Sequence, residues 1–295
     1  MAPSAVTEIE NVEQAVVSKS KSRDEMSPLE AISQGTCLPS VPLYSDMDKQ
    51  RHFMLSHMAG AFRVFARKGF TEGMSGHISV RDPEVNPHTF WTNPLGKHFA
   101  LLKASDMILV DYDGVAIGGN MSRPANAAGF LIHSAVHKAR PDVTAACHTH
   151  SKAGKAWSSF ARPLEMLNQD VTYFYGEAQA VYKEFGGIVF SEEEGKRLAA
   201  ALGPKGKGMI LRNHGLLTVG STVDEAAYLY TLMERSCEVQ LAVEAAAANG
   251  IPKVLVEDEA AEYTFRMGSD AESLYWEFQP DLEYEEAMCN GAFKE

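Results

Sequence analysis

The chain has 295 residues, of which 45% are hydrophobic and 22% charged, and it carries a formal net charge of −12 at pH 7. So acidic a balance argues against a nucleic-acid or anionic-lipid surface, and no apolar run approaches the length of a membrane-spanning helix. Four cysteines without CxxC or framework spacing point to a reducing compartment. The early acids Glu8, Glu10 and Glu13 suit neither a signal nor a transit peptide, so a cytoplasmic location is expected.

Residues 1–44 are rich in Ser, Glu, Lys, Pro and Val without sustained period and read as a disordered tail. Ser45, with Asp48 three positions on, reads as the N-cap of a helix carrying Met54, Met58, Phe62 and Phe65 at helical spacing and ending at Gly69. Strands are expected over 76–81 and 89–92, the second running into the loop Asn93-Pro94-Leu95-Gly96. A third strand over 107–112 leads into an Asp113-Gly114 hairpin turn. A helix over 126–139 precedes a strand holding Ala145-Ala146-Cys147-His148-Thr149-His150. Ser191 with Glu194 starts a helix that stops before Gly203-Pro204, one strand is expected over 209–217, and Thr222 with Glu225 caps a long helix to Asn249-Gly250. A short strand over 254–256 and an acidic, aromatic C-terminus follow. Interleaved strands and helices predict one α/β domain over 45–255 with helices on both sheet faces, and an extension over 256–295 packed on it or on a neighbouring subunit.

Three histidines carry the chemistry. His148 and His150 are two apart in a strand and project to one face, and His214 stands at a second strand end between Asn213 and Gly215, where a polar ring has no core role. The pair alone could be interior hydrogen-bonded rings. With His214 the set reads as three ligands to one divalent metal, with a position left open for substrate. Imidazole-only coordination suits Zn, Fe, Mn, Co or Ni alike. Cys147 should point to the opposite face as a packed thiol.

The segment His148-Thr149-His150-Ser151-Lys152-Ala153, followed about 64 residues later by Asn213-His214-Gly215-Leu216, resembles the class II aldolase/adducin family. Gly76-His77-Ile78-Ser79-Val80-Arg81 and Thr92-Asn93-Pro94-Leu95-Gly96 fall where that family has its substrate loops. The resemblance covers about residues 47–250. It implies a three-layer α/β/α fold with a central, largely antiparallel sheet, and a homo-oligomer, commonly a tetramer. It also implies a divalent ion on the three histidines, zinc first and Fe(II) or Mn as alternatives. In the family that ion polarises a carbonyl or enediolate oxygen while a carboxylate moves the proton.

The departures from the family pattern shape the functional expectation. The family's sugar-phosphate aldolases carry Ser-Ser-acid one helix upstream of the histidine strand, and here that stretch falls in Asn126-Ala127-Ala128-Gly129, with no carboxylate and no hydroxyl. His77 replaces an asparagine that helps to hold phosphate. Asp170, twenty residues beyond His150, matches the position of an acid/base glutamate in the methylthioribulose-phosphate dehydratase branch and is the expected proton shuttle, with a turn or cap aspartate as the alternative. His77, Asn93, Gly96 and His133 are candidate substrate contacts. His137 reads as packed or superficial, Arg123 as a partner for a substrate carboxylate or a solvated side chain, and Arg212 as sharing the strand face of His214. The runs over 203–208 and 69–76 lack the spacing of phosphate or dinucleotide loops. The expectation is a metal-dependent lyase acting by aldol cleavage, dehydration or decarboxylation on a small carbonyl or hydroxy-acid substrate. An Fe(II)/dioxygen oxidative decarboxylase on the same scaffold and a non-catalytic adducin-like interaction module are the alternatives.

Overall fold

The computed structural model describes residues 25–84, 88–187 and 191–295. Eight strands form one sheet: β1 (His77–Arg81), β2 (Thr89–Thr92), β3 (Ile108–Asp111), β4 (Ala116–Gly119), β5 (Ala145–Thr149), β6 (Gln179–Tyr182), β7 (Gly208–Leu211) and β8 (Gly215–Gly220). Their spatial order is β4-β3-β2-β1-β5-β8-β7-β6, and every pairing is antiparallel except β6 with β7.

The alternation of side chains along the strands assigns the two faces. Ile78, Val80, Ala145 and Cys147 point into the larger core, against Phe62 and Phe65 of α2 (Met47–Arg67) and Tyr230 of α6 (Val223–Ala248). Ala146, Met209, Leu217 and Val219 point the other way, into a smaller core with Ile132 and Val136 of α3 (Ala127–Ala139) and Leu198 and Leu202 of α5 (Glu192–Leu202). The sheet is therefore sandwiched between helices, the three-layer α/β/α arrangement expected. Cys147 is buried on the face opposite the histidines, also as expected.

Order begins earlier than the sequence reading put it. Ser27 forms a reciprocal capping box with Glu30 at the start of α1 (Pro28–Ile32), and Leu29 and Cys37 are buried. The Pro39 carbonyl oxygen accepts from Trp276 Nε1 at 2.7 Å. The tail assigned to residues 1–44 thus packs on the protein from residue 25 onward, and residues 1–24 of that assignment lie outside the described residues. The cap of α2 is Asp46 rather than Ser45, because its carboxylate accepts from the backbone N–H groups of Asp48 and Lys49.

The C-terminal extension is helical and packs on the domain. α7 (Asp258–Gly268) and α8 (Ala271–Cys289) follow α6, and Leu274, Phe278 and Leu282, four residues apart, bury one face of α8. That helical period lay unread beneath the acidic composition, with Pro280 also inside the helix. No strand forms over 254–256, where Val256 donates one backbone bond to Met166.

The single strand expected over 209–217 is a hairpin. β7 ends at Leu211, β8 starts at Gly215, and Leu211 pairs with Gly215 across a three-residue turn whose middle residue, Asn213, has φ +55°. The apolar residues on both sides concealed the turn. Arg212 consequently lies exposed in the turn and donates to the Lys183 carbonyl oxygen at 3.0 Å, instead of sharing a strand face with His214.

Candidate metal centre

Three elements bring the imidazoles together. β5 carries His148 at its end, His150 follows one residue beyond it, and the β7–β8 turn carries His214. Because β8 pairs with β5, with His148 opposite Leu217, the turn is held over the strand end. The ring centroids of His148, His150 and His214 lie 4.7–5.2 Å apart, and the three ligand nitrogens lie within 4.8 Å of one another.

The donor set suits a divalent cation. His148 Nδ1 donates to the Leu216 carbonyl oxygen at 2.7 Å, which fixes the tautomer and leaves the Nε2 lone pair for a ligand bond. Burial, with the neighbouring imidazoles, holds His148 well below the usual histidine pKa. Burial also lowers His150, and Lys155 adds to that effect. His214 is pushed down to about 4 by burial and by His150. All three rings are therefore neutral at pH 7, the form in which imidazole binds a metal.

The loop around His150 is tied down from α6. Glu234, buried, accepts from Ser151 Oγ at 2.5 Å and from the backbone N–H groups of Ala153 and Gly154 at 2.7 and 2.6 Å, at the start of α4 (Lys152–Ser158). A carboxylate at a helix N-terminus meets donors that would otherwise be orphaned. Tyr230 accepts from Thr149 Oγ1 at 2.7 Å and donates to the Thr149 carbonyl oxygen at 2.8 Å, bracing the residue between the two histidines.

On the α3 side of the sheet His148 has polar company. His77 sits opposite it in the β1–β5 register, the two ring centroids being 4.9 Å apart. His77 Nδ1 lies 2.9 Å from His133 Nε2, His133 Nδ1 lies 2.7 Å from Ser79 Oγ, and Ser79 Oγ lies 2.8 Å from His137 Nε2. All four side chains are buried. His137, expected as packed or superficial, is thus part of a buried polar row. Its neighbour in that row, Ser79, belongs to the run over 76–81 read as a substrate loop, and its partnership with His137, 58 residues away, carries no local sequence signal.

The remaining candidates are placed as follows. Asn93 is buried and its Nδ2 donates to the Gly76 carbonyl oxygen at 3.5 Å, so it braces the backbone just before His77. Gly96 has φ +76° in an exposed loop, and its carbonyl oxygen accepts from Arg123 at 2.6 Å. Asp170 is exposed at the first position of a 3₁₀ turn over Asp170–Phe174. Its charge bears on Tyr173. The carboxylate that acts on His150 is Glu72, which pairs with Lys155 at 2.5 Å and lies in the glycine-rich run over 69–76. Its only sequence signal was position, four residues before the Gly76-His77 loop.

Comparison with known proteins agrees with this geometry. Residues 56–241 match the family described as Class II Aldolase and Adducin N-terminal domain. The meiotically up-regulated gene 14 protein of Schizosaccharomyces pombe is 43% identical over 251 residues, 85% of this chain and 96% of that protein. Decarboxylase NovR of Streptomyces niveus is 41% identical, covering 70% of this chain and 75% of its own. The 4-hydroxy-3-prenylphenylpyruvate oxygenase/4-hydroxy-3-prenylbenzoate synthase of Streptomyces roseochromogenus subsp. oscitans is 40% identical, covering 72% and 76%. Among solved structures, L-fuculose 1-phosphate aldolase from Glaciozyma antarctica PI12 superposes with a TM-score of 0.79 at 37% identity, covering 86% of this chain and 97% of that one.

Proposed function

Because this chain belongs to the class II aldolase and adducin family, we propose that it is a divalent-metal-dependent lyase that decarboxylates a small 3-oxo or 2-hydroxy-3-oxo acid, in which the carbonyl β to the carboxylate takes up the electron pair left by CO2. The observation that carries the reading is the convergence of three neutral imidazoles within 4.8 Å, without a carboxylate in the donor set. His148, His150 and His214 hold the ion. A cation bound there supplies Lewis-acid polarisation of a substrate carbonyl. Lys155 and Glu72 act on His150 with opposite sign, so the charged groups beside the ion come as a pair. The buried row behind His148 closes the α3 side to water. The missing phosphate serines favour a carboxylate over a sugar phosphate, and the protein works as a homo-oligomer, a tetramer in the common family form.

A second reading, oxidative decarboxylation with ferrous iron and dioxygen, is favoured by the relative named as an oxygenase and synthase. Oxygen uptake in step with CO2 release supports it, whereas full anaerobic turnover with zinc excludes it. The non-catalytic module reading has the three histidines against it.

The test of the main proposal is direct. Protein purified without chelators carries about one divalent ion per chain, and His148→Ala loses both the ion and CO2 release from 3-oxo and 2-hydroxy-3-oxo acids. A wild-type protein that takes up no metal, or a His148→Ala protein that keeps it, overturns the reading.

A further inference from the structure

We infer that His77 is a fixed hydrogen-bond acceptor in the site, held so by a one-way proton chain through His133, Ser79 and His137, and that it selects a substrate bearing a hydroxyl donor over one presenting an anionic oxygen. The substrate half of this inference rests on the metal-centre reading above, and the proton chain does not.

The polarity follows from counting protons from the far end. His137 Nδ1 lies 3.3 Å from the Val143 carbonyl oxygen, which only accepts, so Nδ1 carries the proton. In a neutral ring His137 Nε2 is then an acceptor, and the hydroxyl 2.8 Å away, Ser79 Oγ, must donate to it. A serine has one proton to give. Ser79 Oγ therefore accepts from His133, whose Nδ1 at 2.7 Å carries the hydrogen. His133 Nε2 is left as an acceptor, so His77 Nδ1, 2.9 Å from it, donates. The chain ends on His77 Nε2, a bare lone pair that has no partner among the described residues. Burial holds His133 and His137 below the usual histidine pKa, in keeping with neutral rings in the interior of the chain.

The ring of His77 also fills the space beside the first turn of α3. The helix stretch that matches Ser-Ser-acid ends at Gly129, and a Cβ built there would lie 2.3 Å from His77 Cδ2 and 2.5 Å from His77 Nε2. Any side chain at 129 would meet the His77 ring, so the glycine leaves that space to the imidazole. A carboxylate or phosphate oxygen would set its own lone pairs against that nitrogen, while a hydroxyl can donate to it.

Two measurements decide the inference. Long-range 1H–15N spectra of imidazole-labelled, metal-free protein should show His77 and His133 neutral, with Nδ1 protonated and Nε2 bare. A His77 ring protonated at Nε2, or at both nitrogens, overturns the proton chain. In zinc-loaded protein, Ser79→Ala should lower the binding preference for lactate over methylmalonate, in which a carboxylate replaces the hydroxyl, by about tenfold, the size of one buried hydrogen bond, with zinc content unchanged and Ser79→Thr restoring it. An unchanged preference overturns the selectivity. Should Ser79→Ala fail to fold, the wild-type spectrum still tests the chain, and the lactate preference of His77→Phe, which keeps the ring volume without the acceptor, tests the selection. Failure of the wild-type protein to take up zinc would sink the metal-centre reading and leave the metal-free spectrum standing.

Discussion

At the scale of single residues, two exposed carboxylates compete for the role of proton shuttle. Asp170 occupies the sequence position expected of a proton shuttle, but it is exposed and its charge falls on Tyr173. Glu72 is the acid whose charge reaches His150, and its pairing with Lys155 holds its carboxyl below the usual range. Asp170→Asn should therefore keep its metal and change turnover by no more than about threefold, whereas Glu72→Gln should lower turnover by roughly tenfold through the loss of one charge-assisted contact. Steady-state rates with metal content measured in parallel check both. Loss of activity in Asp170→Asn alone would return the shuttle to that residue. The three converging histidines were legible because each sits in a short run that serves little else. Ser79 was not, since a serine on a strand shows its purpose only when the helix carrying His133 and His137 is folded over it.

At the scale of elements, the centre depends on how α4 is moored. Glu234 of α6 takes the hydroxyl of Ser151 and two backbone N–H groups of α4, so the residue that follows His150 is tied to a distant helix. Glu234→Gln replaces an acceptor oxygen with an amide that faces backbone donors. It should cost about 2 kcal/mol in denaturant unfolding, in the range of a lost hydrogen bond to a charged group. It should also weaken metal retention, as dialysis against chelator would show. A variant as stable as wild type would mean that α4 needs no such tether. The same scale shows what could be read in advance. Helices with strong caps, at Ser191 and Thr222, start where their side chains say. The β7–β8 turn and α8 were misread for opposite reasons: unbroken apolar residues hid a turn, and abundant acids hid an apolar stripe.

At the scale of the whole molecule, the buried polar row makes folding sensitive to acid. His137 is pushed down to about 3 by burial and by Arg81, against an ordinary value of 6.5. Above about pH 6.5 the ring is neutral in both states and stability is at its full value. Between 6.5 and about 3 the unfolded chain binds a proton that the folded chain refuses, so stability falls as pH falls, by at most about 1.4 kcal/mol per pH unit for this one group. Denaturant midpoints for metal-free protein should drop from pH 7 to pH 5, and His137→Gln should flatten that drop. Equal slopes in the two proteins would place the acid sensitivity elsewhere. The sandwich itself was legible from the interleaving of its elements, while the packed segment over residues 25–44 was not, because its anchors (Leu29, Cys37 and the Pro39 carbonyl) bind surfaces built from the far end of the chain.

The facing of His77 and His148 across β1 and β5 has one more consequence. Neighbouring positions on a strand look to opposite sides, so inserting or deleting a single residue near Gly76 would turn Ile78 toward the polar layer and His77 into the apolar one. The polar row behind His148 would then be undone with every one of its side chains still encoded, and survey by motif alone would count such a protein as intact.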